Sequence, residues 1–131
     1  MNIKSSQTLV EEAQKNIETL NPEKVKVLYE KREITLIDVR DIRELWKEGT
    51  IEDSIHIPRG MLEFWLDPES SYFKSNKMQN IKKMVLFCAL GWRSALATKS
   101  LRTKSSLNRG LKPQAVANLK HVIFLFFELI R

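Results

Sequence analysis

Two short apolar runs constrain the fold more than any other feature of this chain. Ile34-Thr35-Leu36-Ile37-Asp38-Val39 and Met84-Val85-Leu86-Phe87 are rich in branched residues and almost unbroken in their apolarity. A half-solvated strand alternates polar and apolar positions, whereas an unbroken apolar run needs cover on both faces and suits the interior of a parallel sheet. Ser54 to Ile57, stopped by Pro58, reads as a third, shorter strand. Helical spacing fills the gaps. Leu9, Val10, Ala13, Ile17 and Leu20 predict an amphipathic helix from Thr8 to Leu20. Asn21-Pro22-Glu23 supplies an N-cap, a proline at the first helical position and a first-turn acid, so a second helix runs through Val25, Leu28 and Tyr29. Ile42, Leu45 and Trp46 predict one side of a short helix ended by Gly49. Gly60 to Leu66 predicts another, stopped at Asp67-Pro68. Residues 67–80 are a polar loop, a further helix spans about Arg93 to Leu101, Leu101 to Pro113 is a basic loop, and Ala115 to Leu119 is a last strand. Strands alternating with helices predict an α/β domain with a central, mostly parallel sheet and helices on both faces.

Length and composition narrow the function classes. With 131 residues, 43% of them hydrophobic, the chain makes one domain with a real core. Its one cysteine, Cys88, excludes an internal disulfide and suits a reducing compartment. His56 and His121 stand far apart without a ligand cluster, so neither a metal nor another cofactor is expected. Residues 1–12 hold no apolar run of signal-peptide length. The apolar tail from Val122 to Phe127 falls well short of the ~20 residues of a membrane span. The expectation is a cytoplasmic protein with no membrane partner. Its net charge of +6 is concentrated in the last third, where eight basic residues of positions 88–131 face Glu128 alone. Such a field attracts small anions or acidic surfaces. The aromatic interleaving of a nucleic-acid module is missing, which disfavours that partner.

The chemistry centres on Cys88. The thiol follows a buried strand and precedes a turn containing Gly91, then a helix starting near Arg93. Backbone N–H groups in a strand–turn–helix of this kind converge on one point, and the helix terminus adds free donors. They favour thiolate over thiol at the strand end. In an open parallel sheet that edge is also where ligands bind. A lone cysteine after an apolar strand is otherwise a small core residue.

At these residues the sequence resembles a single-domain rhodanese. The likeness runs through Leu36-Ile37-Asp38-Val39-Arg40, Glu44-Leu45, Gly49-Thr50-Ile51, Ile55-His56-Ile57-Pro58 and Val85 to Ser94, and covers roughly residues 20–120. Its most specific part is the Cys-x-x-Gly-x-Arg-Ser loop. Pro58 to Ser70 resembles a bacterial branch of the same family. The resemblance implies a rhodanese-like domain over 21–131 following the N-terminal helix of residues 1–20, with an atypical closing segment from about 102. It further implies a sulfurtransferase in which Cys88 takes sulfane sulfur from a small anionic donor, thiosulfate or a persulfide. The sulfur then passes from a Cys88 persulfide to a thiol, a cyanide-like nucleophile or a protein acceptor. Ala89, Leu90, Gly91, Trp92, Arg93 and Ser94 would form the substrate loop, with Asp38, Arg40 and Arg59 in support. Cysteine phosphatases and arsenate reductases on a related scaffold use a wider Cys-x5-Arg cradle. Four residues separate Cys88 from Arg93 here, which suits a single sulfur atom.

Several features depart from the family pattern. Ala89, Leu90 and Trp92 are uncharged where thiosulfate-using members carry basic residues, leaving thiosulfate and persulfide or polysulfide donors equally open. Thr50 stands where a histidine is common, and Lys120-His121-Val122 replaces a Gly-Gly turn. Asp38 is expected to brace the loop rather than carry a proton. Arg93 either binds donor or holds the loop through a carboxylate. The alternative to an enzyme is a rhodanese-like protein-binding module with weak or no catalysis.

Overall fold

Among the described residues every strand of the sheet runs parallel, and the order places the strand that leads into Cys88 in the middle. The computed structural model describes residues 2–78, 80–81, 83–103 and 114–116. In chain order the elements are α1 (Ser6–Asn16), β1 (Thr19–Leu20), α2 (Pro22–Glu30), β2 (Ile34–Asp38), α3 (Ile42–Glu48) and β3 (Ile55–His56). A 3-10 turn (Arg59–Met61) leads into α4 (Leu62–Leu66), followed by β4 (Lys83–Phe87), α5 (Trp92–Thr103) and β5 (Gln114–Val116). The five strands lie in the order β1-β5-β4-β2-β3. β2 and β4 pair from Ile34 opposite Lys83 to Asp38 opposite Phe87, so their carboxyl ends finish level with each other.

The unbroken apolar runs are explained by cover on both sides. Leu36, Val85 and Phe87 face a cluster with Leu20 and Val25, against which Leu28 and Tyr29 of α2 pack. The alternate residues Ile37, Met84 and Leu86 face a second cluster with Leu62 and Leu66 of α4 and Ala97 and Leu101 of α5. Cys88 belongs to that second cluster. α1 buries Val10 and Ala13 and packs on α5, where Arg102 Nη1 donates to the carbonyl of Asn16 at 3.2 Å.

Local chemistry sets the helix boundaries. Asn21 caps α2 by accepting from the Lys24 N–H at 2.8 Å, with Pro22 in the first turn. Gly49 ends α3 at φ 76, a conformation that strains any residue with a Cβ. The first helix, expected to reach Leu20, stops at Asn16, and Ile17 is already extended. Thr19 and Leu20 instead pair with Ala115 and Val116 of β5. An apolar residue at helical spacing also fits a buried strand position, and here pairing with β5 decides the conformation. α3 departs in another way: none of its residues is buried, and Trp46 is 75% exposed. The last strand is seen at Gln114–Val116, while positions 117–119, the basic segment 104–113 and the apolar tail 122–127 lie outside the described residues. Among the described residues no helix is long and apolar enough to cross a membrane, and no His, Cys, Asp and Glu cluster could hold a metal.

Leu86 is fully buried at the centre of the second cluster, whereas Val27 on α2 is 48% exposed. Leu86→Ala is therefore expected to lower unfolding free energy by about 2–5 kcal/mol. Val27→Ala should change it by no more than about 0.5 kcal/mol, both read from urea titrations.

Candidate active site

The site is built outward from the level ends of β2 and β4. Past Asp38 the chain stays attached to the sheet, with Val39 N–H donating to the carbonyl of Phe87 at 3.1 Å and Ile57 N–H to the carbonyl of Asp38 at 3.0 Å. Asp38 and Arg40 are both fully buried. Arg40 Nε donates to Asp38 Oδ1 at 2.9 Å and Arg40 Nη2 to Oδ2 at 2.7 Å, a two-pronged ion pair. Thr50 Oγ1 donates to Asp38 Oδ2 at 2.7 Å, and Arg40 Nη2 also donates to the carbonyl of Gly49 at 2.8 Å. Glu48 reaches Arg40 Nη1 at 3.4 Å, and His56 Nε2 donates to the Arg40 carbonyl at 2.7 Å. Buried charges need this degree of satisfaction, since removing one partner of such a pair costs about 3–5 kcal/mol. The pair thus ties the end of β2 to the end of α3 and the two residues after it, while His56 holds the Arg40 backbone from β3.

The start of α3 carries a second bracket. Asp41 caps the helix, accepting from Arg43 N–H at 2.9 Å, while Glu44 Oε2 accepts from the Asp41 N–H at 3.0 Å, giving a capping box. The Arg43 side chain, and then its N–H, holds the Asp41 carboxyl at about 2. Glu44 also receives Arg93, with Nη1 to Oε2 at 2.7 Å and Nη2 to Oε1 at 3.0 Å. One carboxylate therefore clamps the first turn of α3 to the first turn of α5. The Arg93 guanidinium keeps the Glu44 carboxyl below the ordinary carboxylate range, partly offset by burial and helped by the Asp41 N–H.

Cys88 lies between these brackets at the end of β4, buried. Its Sγ accepts from the N–H of Gly91 at 3.2 Å and of Ser94 at 3.3 Å, and the thiol lies 3.4 Å from Ser94 Oγ, to which it donates. Gly91 takes φ 85, the left-handed conformation that turns its N–H inward at no steric cost. On loss of the thiol proton both N–H groups and the Ser94 hydroxyl can donate to an anionic sulfur.

The sequence-predicted residues are distributed as follows. Cys88, Gly91 and Ser94 come together around the sulfur. Ala89 is half-buried, while Leu90 and Trp92 are 44% and 51% exposed at the rim. Arg93 is engaged by Glu44, and Asp38 and Arg40 form the buried brace. Arg59 pairs with Glu63, Nη1 to Oε1 at 2.7 Å, one turn further along its own segment. Sequence reasoning did not assign roles to Glu44, Thr50 or Glu48. For Glu44 a signal existed, because Asp41-x-x-Glu44 has capping-box spacing.

A family model for the rhodanese-like domain matches residues 21–124. The chain belongs to the rhodanese-like domain family. Among solved structures, one from Rhodopseudomonas palustris, described as a protein of unknown function and possible tyrosine phosphatase, is 35% identical. It superposes with a TM-score of 0.80, covering 95% of this chain and 93% of its own. The polysulfide-sulfur transferase homodimer of Wolinella succinogenes is 30% identical, with a TM-score of 0.63 and coverage of 91% and 82%. A human single-domain sulfurtransferase is 25% identical, with a TM-score of 0.64 and coverage of 82% and 95%. No curated protein sequence matches the chain. Its relatives thus make this rhodanese-like domain one of a sulfurtransferase-type family.

The Glu44–Arg93 clamp has a pH signature. A carboxyl held low in the folded state contributes stability above its unfolded value, ~4.3, and loses it as pH falls through the lower folded value. Both partners are partly exposed, Arg93 41% and Glu44 31%, so screening limits the contribution to about 1 kcal/mol. Glu44→Gln should be less stable than wild type by about that amount at neutral pH, with the gap closing below about pH 4 in urea titrations run across the acid range.

Proposed function

We propose that this chain is a sulfurtransferase that carries sulfane sulfur on Cys88, taking it from thiosulfate or a persulfide and passing it to a thiophilic acceptor. The observation that carries the reading is the convergence of the Gly91 and Ser94 N–H groups on Cys88 Sγ at the carboxyl edge of the sheet. In the first half-reaction the Cys88 thiolate attacks the outer sulfur of the donor. A new S–S bond forms and the donor's S–S bond breaks, its electron pair leaving with sulfite or with a thiolate. In the second, an acceptor such as cyanide attacks the outer sulfur, leaving as thiocyanate and returning the Cys88 thiolate. Covalent carriage divides one difficult transfer into two easier ones. Each half-reaction passes through an anionic sulfur that the loop donors are positioned to stabilise.

The supporting residues divide by role. Ser94 adds a hydroxyl next to the sulfur. Ala89, Leu90 and Trp92 form an uncharged approach, and Gly91 provides the turn. Asp38 and Arg40 hold the sheet edge without touching the sulfur. Arg59, paired with Glu63, is the farthest of these residues from the chemistry in role. A single cysteine suits a reducing setting, which supports a cytoplasmic location and a small-molecule thiol or protein thiol as acceptor. The names of the Wolinella and human proteins describe the same class of transfer. The phosphatase description of the Rhodopseudomonas protein would ask for a wider cradle, whereas here four residues separate Cys88 from Arg93 and Glu44 occupies the guanidinium.

Intact-mass measurement tests the carrier step. Incubation with thiosulfate or with a low-molecular-weight persulfide should add one sulfur atom, which cyanide removes and Cys88→Ser never acquires. Failure of both donors to load a protein that is folded by circular dichroism would contradict the proposal and favour a binding module.

A further inference from the structure

The charge arrangement around the loop points to a specificity-determining residue outside it. Residues 88–94 carry one charge, Arg93. Both of its terminal nitrogens are taken by Glu44, at 2.7 and 3.0 Å. Glu44 is itself held, because its Oε2 also accepts from the Asp41 N–H that opens α3. Among the described residues, the three arginines between β2 and α4 are likewise occupied: Arg40 by Asp38 at 2.7 Å, Arg43 by Asp41 at 2.8 Å and Arg59 by Glu63 at 2.7 Å. Glu44 thus already offsets the charge of Arg93, and a sulfonate-like group that reaches this guanidinium must displace the carboxylate or share the cation with it. Among the described residues, the exposed side chains of the loop besides Arg93 are apolar, with Leu90 and Trp92 about half exposed.

We propose that Glu44 sets donor choice by occupying Arg93, leaving a loop that accepts persulfides of low charge and holds the thiosulfate dianion poorly. This rests on the sulfurtransferase reading above. Thiosulfate brings two negative charges to a loop whose cation is already neutralised. An alkyl persulfide brings at most one, and its carbon end can lie against Leu90 and Trp92. The transfer balances without a further reagent: Cys88 thiolate plus RSSH gives the Cys88 persulfide and the thiolate RS⁻, with no net oxidation.

The test compares second-order rates of Cys88 loading by thiosulfate and by the persulfide of N-acetylcysteine methyl ester, at one ionic strength, in wild type, Glu44→Gln and Glu44→Gln/Arg93→Gln. Because both donors are read on the same protein, general loss of structure cancels in their ratio. Wild type should load faster from the persulfide. Glu44→Gln should raise the thiosulfate-to-persulfide ratio about fivefold, the scale of a partly exposed charged contact. The double variant should lose that gain. A ratio that is unchanged or lower in Glu44→Gln, or a gain that survives in the double variant, would overturn the role of Glu44 alone. Loading by neither donor in any of the proteins would overturn the sulfurtransferase reading together with this inference.

Discussion

The buried ion pair between Asp38 and Arg40 is the constraint around which the site is arranged. Both groups are removed from water, so the pair depends on the further partners it finds in Thr50, Gly49, Glu48 and the Arg40 N–H. Glu48, Gly49 and Thr50 lie together at the end of α3 and just past it. Satisfying the pair therefore fixes where α3 ends, and so where α3 begins. The first turn of α3 presents Glu44, and Glu44 reaches Arg93 in the first turn of α5. Through that chain of contacts, a pair that never meets the sulfur positions the loop that does.

Parallel pairing contributes the other half. Asp38 lies opposite Phe87, so Asp38 and Cys88 emerge at the same edge of the sheet and their loops open side by side. The alternation along β4 sends Val85 and Phe87 to one face and Met84, Leu86 and Cys88 to the other. Cys88 thus keeps its strand-end address while packing against α5, and the turn at Gly91 folds the helix start back over the sulfur. Burial is compatible with the proposed reactivity because the same turn that covers the thiol supplies its hydrogen-bond donors.

Much of this was legible in the sequence. The apolar runs at Ile34 and Met84 gave their strands because cover on both faces leaves no polar alternation to confuse the pattern. Asn21-Pro22 and Gly49 marked helix ends through local backbone chemistry, and the Cys88 loop announced itself by spacing. What escaped depends on distant partners. Leu20 reads as a helical residue until β5 offers it a strand to pair with. Glu44 and Arg93 are 49 positions apart, and only the sheet order brings them together. Thr50 registered as a departure from a family pattern, while its service as a donor to a buried carboxylate required Asp38 to be placed first.

In the proposed transfer the loop N–H groups hold the carried sulfur. Amide spectra of isotopically labelled protein, recorded before and after loading with a persulfide and again after cyanide, address it most directly. The resonances of Gly91 and Ser94 should shift on loading, more than those of amides elsewhere in the sheet, and return when cyanide removes the sulfur. Stable loading of Cys88 that leaves both amides where they were would contradict the account.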